Sequence, residues 1–193
     1  MARPREFDEG DVVSKAQDRF WTAGYTATSI HDLVAATGIS RGSLYAAFGD
    51  KHQLFLRALD SYCEGTIAAV HADLDGDDAG AAGRLFAHMR HVADSCGGSQ
   101  RGCFLAKSTA ELAAADPEVA RRAERMYGTY EEIFVACLEQ AQRAGDLARQ
   151  LDPRTLAALL LITVRGMDAL GQAGRGVEFM RQVAGHSLAF LSA

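Results

Sequence analysis

Arg41, Gly42 and Ser43 open a short segment in which Leu44 and Phe48, four residues apart, share one helical face and leave the three on another. A guanidinium at the start of such a helix can donate to a base edge in a major groove, most naturally to guanine, and the Ser43 hydroxyl can meet a base or a phosphate. Thr28 precedes another helical segment, where its hydroxyl and amide could share a phosphate oxygen. A second chemistry lies further on. Cys103 sits beside Arg101 at an expected helix N-terminus, and both features favour a thiolate, while Cys96 lies seven residues earlier, close enough to resolve an oxidised sulfur as a disulfide. The alternative for Cys103 is a buried, inert thiol that packs as a small hydrophobe. His88 and His91 with these two cysteines place four metal-ligand types within sixteen residues, but at a spacing that fits no zinc pattern.

The elements that must hold these residues are all helical. Asp8 is the expected N-cap of a first helix from Glu9 to Ala23, with Phe7 and Val12 as a hydrophobic staple, Val13, Ala16 and Phe20 inward, and Gly24 closing it. Ser29 and Asp32 form an S-x-x-D capping pair for a second helix that buries Ile30, Leu33 and Val34. Gly38 turns the chain and Ser40 caps a third helix, so Thr28 to Lys51 has the outline of a helix-turn-helix. Asp50 caps a fourth helix reaching about Leu74, and Asp75 to Gly80 is a linker. Further helices are expected over Ala82–Ser95, Gly102–Ala114, Pro117–Ala144, Pro153–Ala173 and Val177–Leu191, with Gly97-Gly98-Ser99 as an interruption. No strand pattern appears.

The run T-S-I-x-D-L-x-x-x-T-G-I-S-x-G-S-L-Y-x-x-F-G-D-K-x-x-L-F, Thr28 to Phe55, resembles the DNA-binding domain of the tetracycline-repressor (TetR) family of bacterial transcription factors. The resemblance implies an all-α fold, a three-helix DNA-binding domain in residues 1–50 and a helical ligand-binding and dimerisation domain in residues 51–193. It adds Tyr45 and Lys51 to Thr28, Arg41, Gly42 and Ser43 as DNA contacts. It also implies a ligand cavity among the fifth to eighth helices, for which Phe86, Met89, Phe104, Met126, Tyr127 and Tyr130 are the candidate lining residues, with Cys103 beside them. The Gly102-Cys103-Phe104-Leu105 segment is similar to one in a branch that includes electrophile- and oxidant-responsive repressors. Ala46 departs from the family, which often carries an aromatic residue or histidine there, and the absence of asparagine from the chain removes one route to adenine.

The eighth helix carries Leu156, Leu159, Leu160, Leu161, Ile162, Val164 and Met167 nearly all round, and so needs a second apolar partner or a place in the centre of a core. The resemblance supplies the first: a homodimer through Thr155–Ala173 and Val177–Leu191, with Arg165-Gly166 allowing close approach. A dimer would read a pseudo-palindromic duplex operator and release it on binding a small-molecule effector or on thiol modification.

Composition is compatible with this. The chain has 193 residues, 48% of them hydrophobic, and a net charge of −5, which excludes indiscriminate coating of nucleic acid. Residues 1–57 are neutral overall, and the rest of the chain carries the negative charge. Arg3 and Arg5 read as a basic arm or a frayed terminus. Four scattered cysteines suggest reduced cytoplasmic thiols, and the apolar run Leu156–Val164 is too short to span a bilayer, so a soluble cytoplasmic protein is expected. No motif calls for a cofactor. A thiol enzyme built on Cys103 would need a histidine base and an orienting group that no motif supplies, and a helical adaptor without DNA binding is the other alternative.

Overall fold

The computed structural model describes residues 7–98 and 101–192, and all regular structure among them is helical. The order is α1 (Glu9–Ala23), α2 (Ile30–Thr37), α3 (Arg41–Phe48), α4 (Lys51–Leu74), α5 (Ala81–Gly98), α6 (Phe104–Leu112), α7 (Pro117–Ala144), α8 (Pro153–Gln172) and α9 (Val177–Ser187). Short 3-10 turns at Asp78–Gly80 and Ala189–Ser192 precede α5 and follow α9. The expected arm at Arg3 and Arg5 lies outside the described residues. No helix is long and apolar enough to cross a membrane among those residues.

Local chemistry sets the helix ends. Asp8 accepts from the Asp11 amide at 2.9 Å, Ser40 from Ser43 at 3.1 Å and Asp50 from Gln53 at 2.8 Å, each satisfying a donor that the first helical turn leaves unpaired. Asp116 and Asp152 do the same ahead of Pro117 and Pro153, where proline has no amide to satisfy.

The chain divides into two compact units, Met1–Gly65 with Phe104–Ala123, and Thr66–Cys103 with Glu124–Ala193. Packing therefore groups residues differently from a cut after Asp50, because α6 and the start of α7 join α1 to α4. The core of the first unit contains Val12, Ala16, Phe20, Leu33, Leu44, Leu54, Phe55 and Phe104, all buried. Phe55 meets Phe20 edge-on at 5.2 Å between ring centroids and Phe104 at 6.0 Å; Tyr62 and Trp21 pack around Phe104. Such aromatic pairs add directional attraction to a large buried area. Phe104 is thus core of the N-terminal unit, not the cavity wall expected from sequence.

In the second unit, α5 packs against α8 and α9. α5 runs beyond the expected end at Ser95, through Gly97, and stops at Gly98 within the expected Gly97-Gly98-Ser99 interruption. Gly97 lies against the Val177 backbone and Gly171 against the Cys96 carbonyl, approaches that leave no room for a Cβ. Glycine here permits helix contact rather than ending a helix. Gly171→Ala is expected to destabilise the protein by roughly 1–3 kcal/mol through overpacking, read as a lower urea midpoint, whereas Gly128→Ala in α7, with open space around it, should not.

Candidate nucleic-acid interface and interior polar cluster

The helix-turn-helix is assembled from local signals. Ser29 and Asp32 cap one another: the Asp32 amide donates to Ser29 Oγ at 3.2 Å, and the Ser29 amide donates to Asp32 Oδ2 at 2.9 Å. Hydrogen bonds from the Ser29 amide and hydroxyl hold the Asp32 carboxyl below its usual pKa. Gly38 then takes the left-handed conformation, φ 75°, that turns the chain into α3. Leu44 and Phe48 are buried, which rotates Arg41, Gly42, Tyr45 and Ala46 outward. The Arg41 guanidinium rests 5.5 Å from the Tyr45 ring centroid, so the two form one exposed donor-bearing surface on the first turn of α3. Ser43 is half-buried, and its hydroxyl lies 2.9 Å from Ser40 Oγ, within the cap.

Two expected contacts are placed differently. Thr28 is 0% exposed, and its hydroxyl donates to the Gly24 carbonyl at 2.7 Å. It closes the turn between α1 and α2 and offers no hydroxyl to a phosphate. Lys51 spans the same turn: its ammonium donates to the Tyr25 carbonyl at 3.0 Å and the Thr28 carbonyl at 2.9 Å, over the Tyr25 ring. From the other side, Glu111 accepts from the Tyr25 amide at 3.0 Å and the Thr26 amide at 2.7 Å, and Lys107 donates to the Trp21 carbonyl at 3.1 Å. Partial burial works to raise the Glu111 pKa, but the hydrogen bonds from Thr26 and Tyr25 outweigh it and keep the group ionised. His52 and Asp116 meet at 2.6 Å nearby, and Arg122 grips Asp60 through two hydrogen bonds. Sequence reasoning missed this brace: its partners lie about 60 to 90 residues apart, and no local pattern marks them.

The second unit holds a polar cluster in its interior. Arg165 donates to Cys103 Sγ at 3.0 Å and pairs with Asp168 at 2.9 Å, and its guanidinium lies 5.6 Å from the Tyr127 ring centroid. Burial opposes the Arg165 charge, but the Cys103 sulfur, Asp168 and the two tyrosines outweigh it, so the pKa is raised. Cys96 donates to Asp168 at 3.1 Å, and burial, reinforced by Asp168, pushes its thiol up to about 12. That environment works against Cys96 as an attacking thiolate. The cation beside Cys103 is Arg165, sixty-two residues away, rather than the neighbouring Arg101 alone.

Of the residues expected to line a cavity, Met89, Met126 and Tyr130 are buried in this unit, and Tyr127 is half-buried against Arg165. Phe86 is not: it is 41% exposed and borders a surface groove with Ala87 and Arg90 of α5 and Arg181 and Ala184 of α9. His88 takes the inward place instead, 4% exposed and hydrogen-bonded at both ring nitrogens. The four possible metal ligands fall into three separate contacts: His88 and His91 share Asp73, Cys96 faces Asp168 and Cys103 faces Arg165.

An outward-facing second helix on a capped helix-turn-helix, followed by a helical body, defines a DNA-binding regulator. Residues 12–58 match the family described as "Bacterial regulatory proteins, tetR family", and residues 81–185 match "Tetracyclin repressor-like, C-terminal domain". The transcriptional repressor ComR of Escherichia coli (strain K12) is 30% identical over 188 residues, 96% of this chain and 90% of ComR. The regulator YezE of Bacillus subtilis (strain 168) is 35% identical over 153 residues, 76% of each chain. A cysteine mutant of the TetR family regulator CifR, solved with 26-base-pair double-stranded operator DNA, superposes with a TM-score of 0.83 at 27% identity, covering 98% of this chain and 100% of that one. Reduced NemR of E. coli shares the fold, with a TM-score of 0.81 at 15% identity over 95% of this chain and 97% of that one. The chain belongs to the TetR family of bacterial transcriptional regulators, a family of DNA-binding proteins rather than enzymes.

Proposed function

We propose that the protein is a cytoplasmic, homodimeric repressor that releases its operator when the interior of its C-terminal half is occupied or modified. The observation that carries this reading is the division of α3 between a buried face, Leu44 and Phe48, and an exposed one, Arg41, Gly42 and Tyr45. In this reading residues 1–50 are the reader and residues 51–193 the body. Arg41 reads a base edge, Tyr45 and the Gly42 backbone approach phosphates, and Ser43 supports the helix start. Lys51 keeps one ammonium hydrogen for a phosphate while holding the Tyr25 and Thr28 carbonyls. One such helix buries too little to bind tightly, so a dimer reads two half-sites. Leu159, Ile162 and Leu170 form an exposed apolar stripe on α8, which suits the dimer through Thr155–Ala173 and Val177–Leu191. The effector site is the interior around Arg165, with Cys103, Tyr127 and Tyr130 and the buried Met89 and Met126 in the same unit.

The test is a gel shift against the DNA flanking the protein's own gene at fixed salt, with competitor duplex. Specific binding is the expected result, and binding no tighter than to random duplex would remove the repressor reading.

The Arg165–Cys103 contact favours a thiol route to release, because oxidation or alkylation of the sulfur changes the acceptor that the guanidinium holds. Diamide is expected to release the wild type from operator, dithiothreitol to restore it, and Cys103→Ser to stay bound throughout. Equal release of the Cys103→Ser protein would leave the cysteine as packing and direct the search to non-covalent effectors.

A further inference from the structure

Tyr130, His88 and Asp73 form a chain of short hydrogen bonds that DNA reading leaves unused, and it joins α7 to the end of α4 through α5. His88 Nδ1 lies 2.8 Å from Asp73 Oδ2, and His88 Nε2 lies 2.7 Å from the Tyr130 hydroxyl. A carboxylate can only accept, so Nδ1 carries the ring hydrogen and donates to Asp73. In the neutral ring Nε2 must then accept, and Tyr130 donates to it. The arrangement suits a neutral imidazole, since burial lowers the pKa of His88 more than Asp73 raises it. The groups facing it are Asp73 from α4, His91 on its own helix, which lies 3.4 Å from the same carboxylate, and Tyr130 and Phe134 from α7. Arg165 and Asp168 of α8 belong to the electrostatic surroundings of Tyr130.

We infer that His88 is a positioning residue, fastening the last turn of α4 to α7 through Asp73 on one side and the Tyr130 hydroxyl on the other. The inference rests on the reading of the Arg165 cluster as the effector site and adds how that site is linked to the reader. Tyr130 belongs both to the cluster's electrostatic surroundings and to this chain. An effector whose acceptor draws the Tyr130 hydroxyl hydrogen bond to itself leaves buried Nε2 without a donor, a state that strongly favours rearrangement. The rearrangement reaches Asp73, and α4 is one continuous helix back to Lys51, whose ammonium holds the carbonyls of Tyr25 and Thr28 just ahead of α2.

The experiment uses the full chain, labelled with 15N-histidine, as wild type, Tyr130→Phe and His88→Gln. In the wild type, long-range 1H–15N spectra are expected to show His88 protonated at Nδ1 and still neutral at the pH where an ordinary imidazole is half-charged. Because the unfolded chain takes up a proton at His88 that the folded chain refuses, wild-type stability should fall below pH 6.5 more steeply than that of His88→Gln. Removing the hydroxyl in Tyr130→Phe is expected to speed amide exchange in the last turn of α4, residues 70–74, by about tenfold while far-UV circular dichroism is unchanged. Operator affinity, measured alongside, should fall in the same variant by about as much. His88 protonated at Nε2, or exchange at residues 70–74 unaffected by Tyr130→Phe, would overturn the inference. If the wild type binds no operator, the repressor reading fails, and the spectra and exchange rates still decide the fastening. If operator binding is sound and only the variant's affinity is unchanged, the fastening does not reach the reader and the inference is overturned.

Discussion

Replacing Arg41 with alanine is expected to erase the preference for operator over random duplex while leaving the protein folded. Arg41 is exposed and lies over the Tyr45 ring of the same helix, so the fold has little to lose. A guanidinium on a guanine edge is worth about 1–3 kcal/mol of discrimination. A dimer loses that at both half-sites, so specific affinity should fall by roughly 30-fold to 10⁴-fold. Competition gel shifts with unlabelled random duplex measure it, with the thermal midpoint as the control for folding. Unchanged competition would remove Arg41 from base reading. Lys51→Ala should behave differently, because Lys51 holds two backbone carbonyls at the entry to α2: stability and affinity are expected to fall together, on all sequences alike.

Ile162→Glu is expected to convert the dimer to a monomer. Ile162 is 69% exposed, with Leu159 on the preceding turn and Leu170 further along α8, so the change costs an isolated chain little. In an isologous interface it places one unpaired carboxylate from each protomer against apolar side chains, at roughly 3–5 kcal/mol each. Sedimentation at micromolar concentration should give the monomer mass, and operator binding should drop to the non-specific level because one reader makes too few contacts. A dimer that survives Ile162→Glu would place the interface elsewhere than on this stripe of α8.

What sequence resolved and what it did not follow from the range of each interaction. The Ser29–Asp32 capping box, the left-handed Gly38 and the Asp152-Pro153 helix start are each decided within four residues, and all three are where local chemistry puts them. Arg41 and Gly42 were placed outward by the four-residue spacing of Leu44 and Phe48, whereas Tyr45 was added only by family resemblance. Periodicity failed where a distant partner decided. Phe86 is the more hydrophobic residue, yet His88 is the one buried, because Asp73 and Tyr130 satisfy both of its nitrogens. Phe104 was assigned to the cavity by its place among the fifth to eighth helices, but its ring is claimed by aromatic residues of α1 and α4. Gly97-Gly98-Ser99 reads as a break by propensity, and α5 does end at Gly98, but the approach of Val177 makes Gly97 the residue that fits inside the last turn. Thr28 was paired with a phosphate by its place ahead of a helix and Lys51 by family resemblance, while the carbonyls of the α1–α2 turn are nearer partners.

Hydroxyl-radical footprinting of the wild-type protein on the DNA flanking its own gene tests the operator reading most directly. Two protected tracts of related inverted sequence, separated by about one helical turn or a whole multiple of it, are expected, each lost in Arg41→Ala. A single tract, or protection that follows no sequence and survives Arg41→Ala, would contradict a dimer that reads its operator through α3.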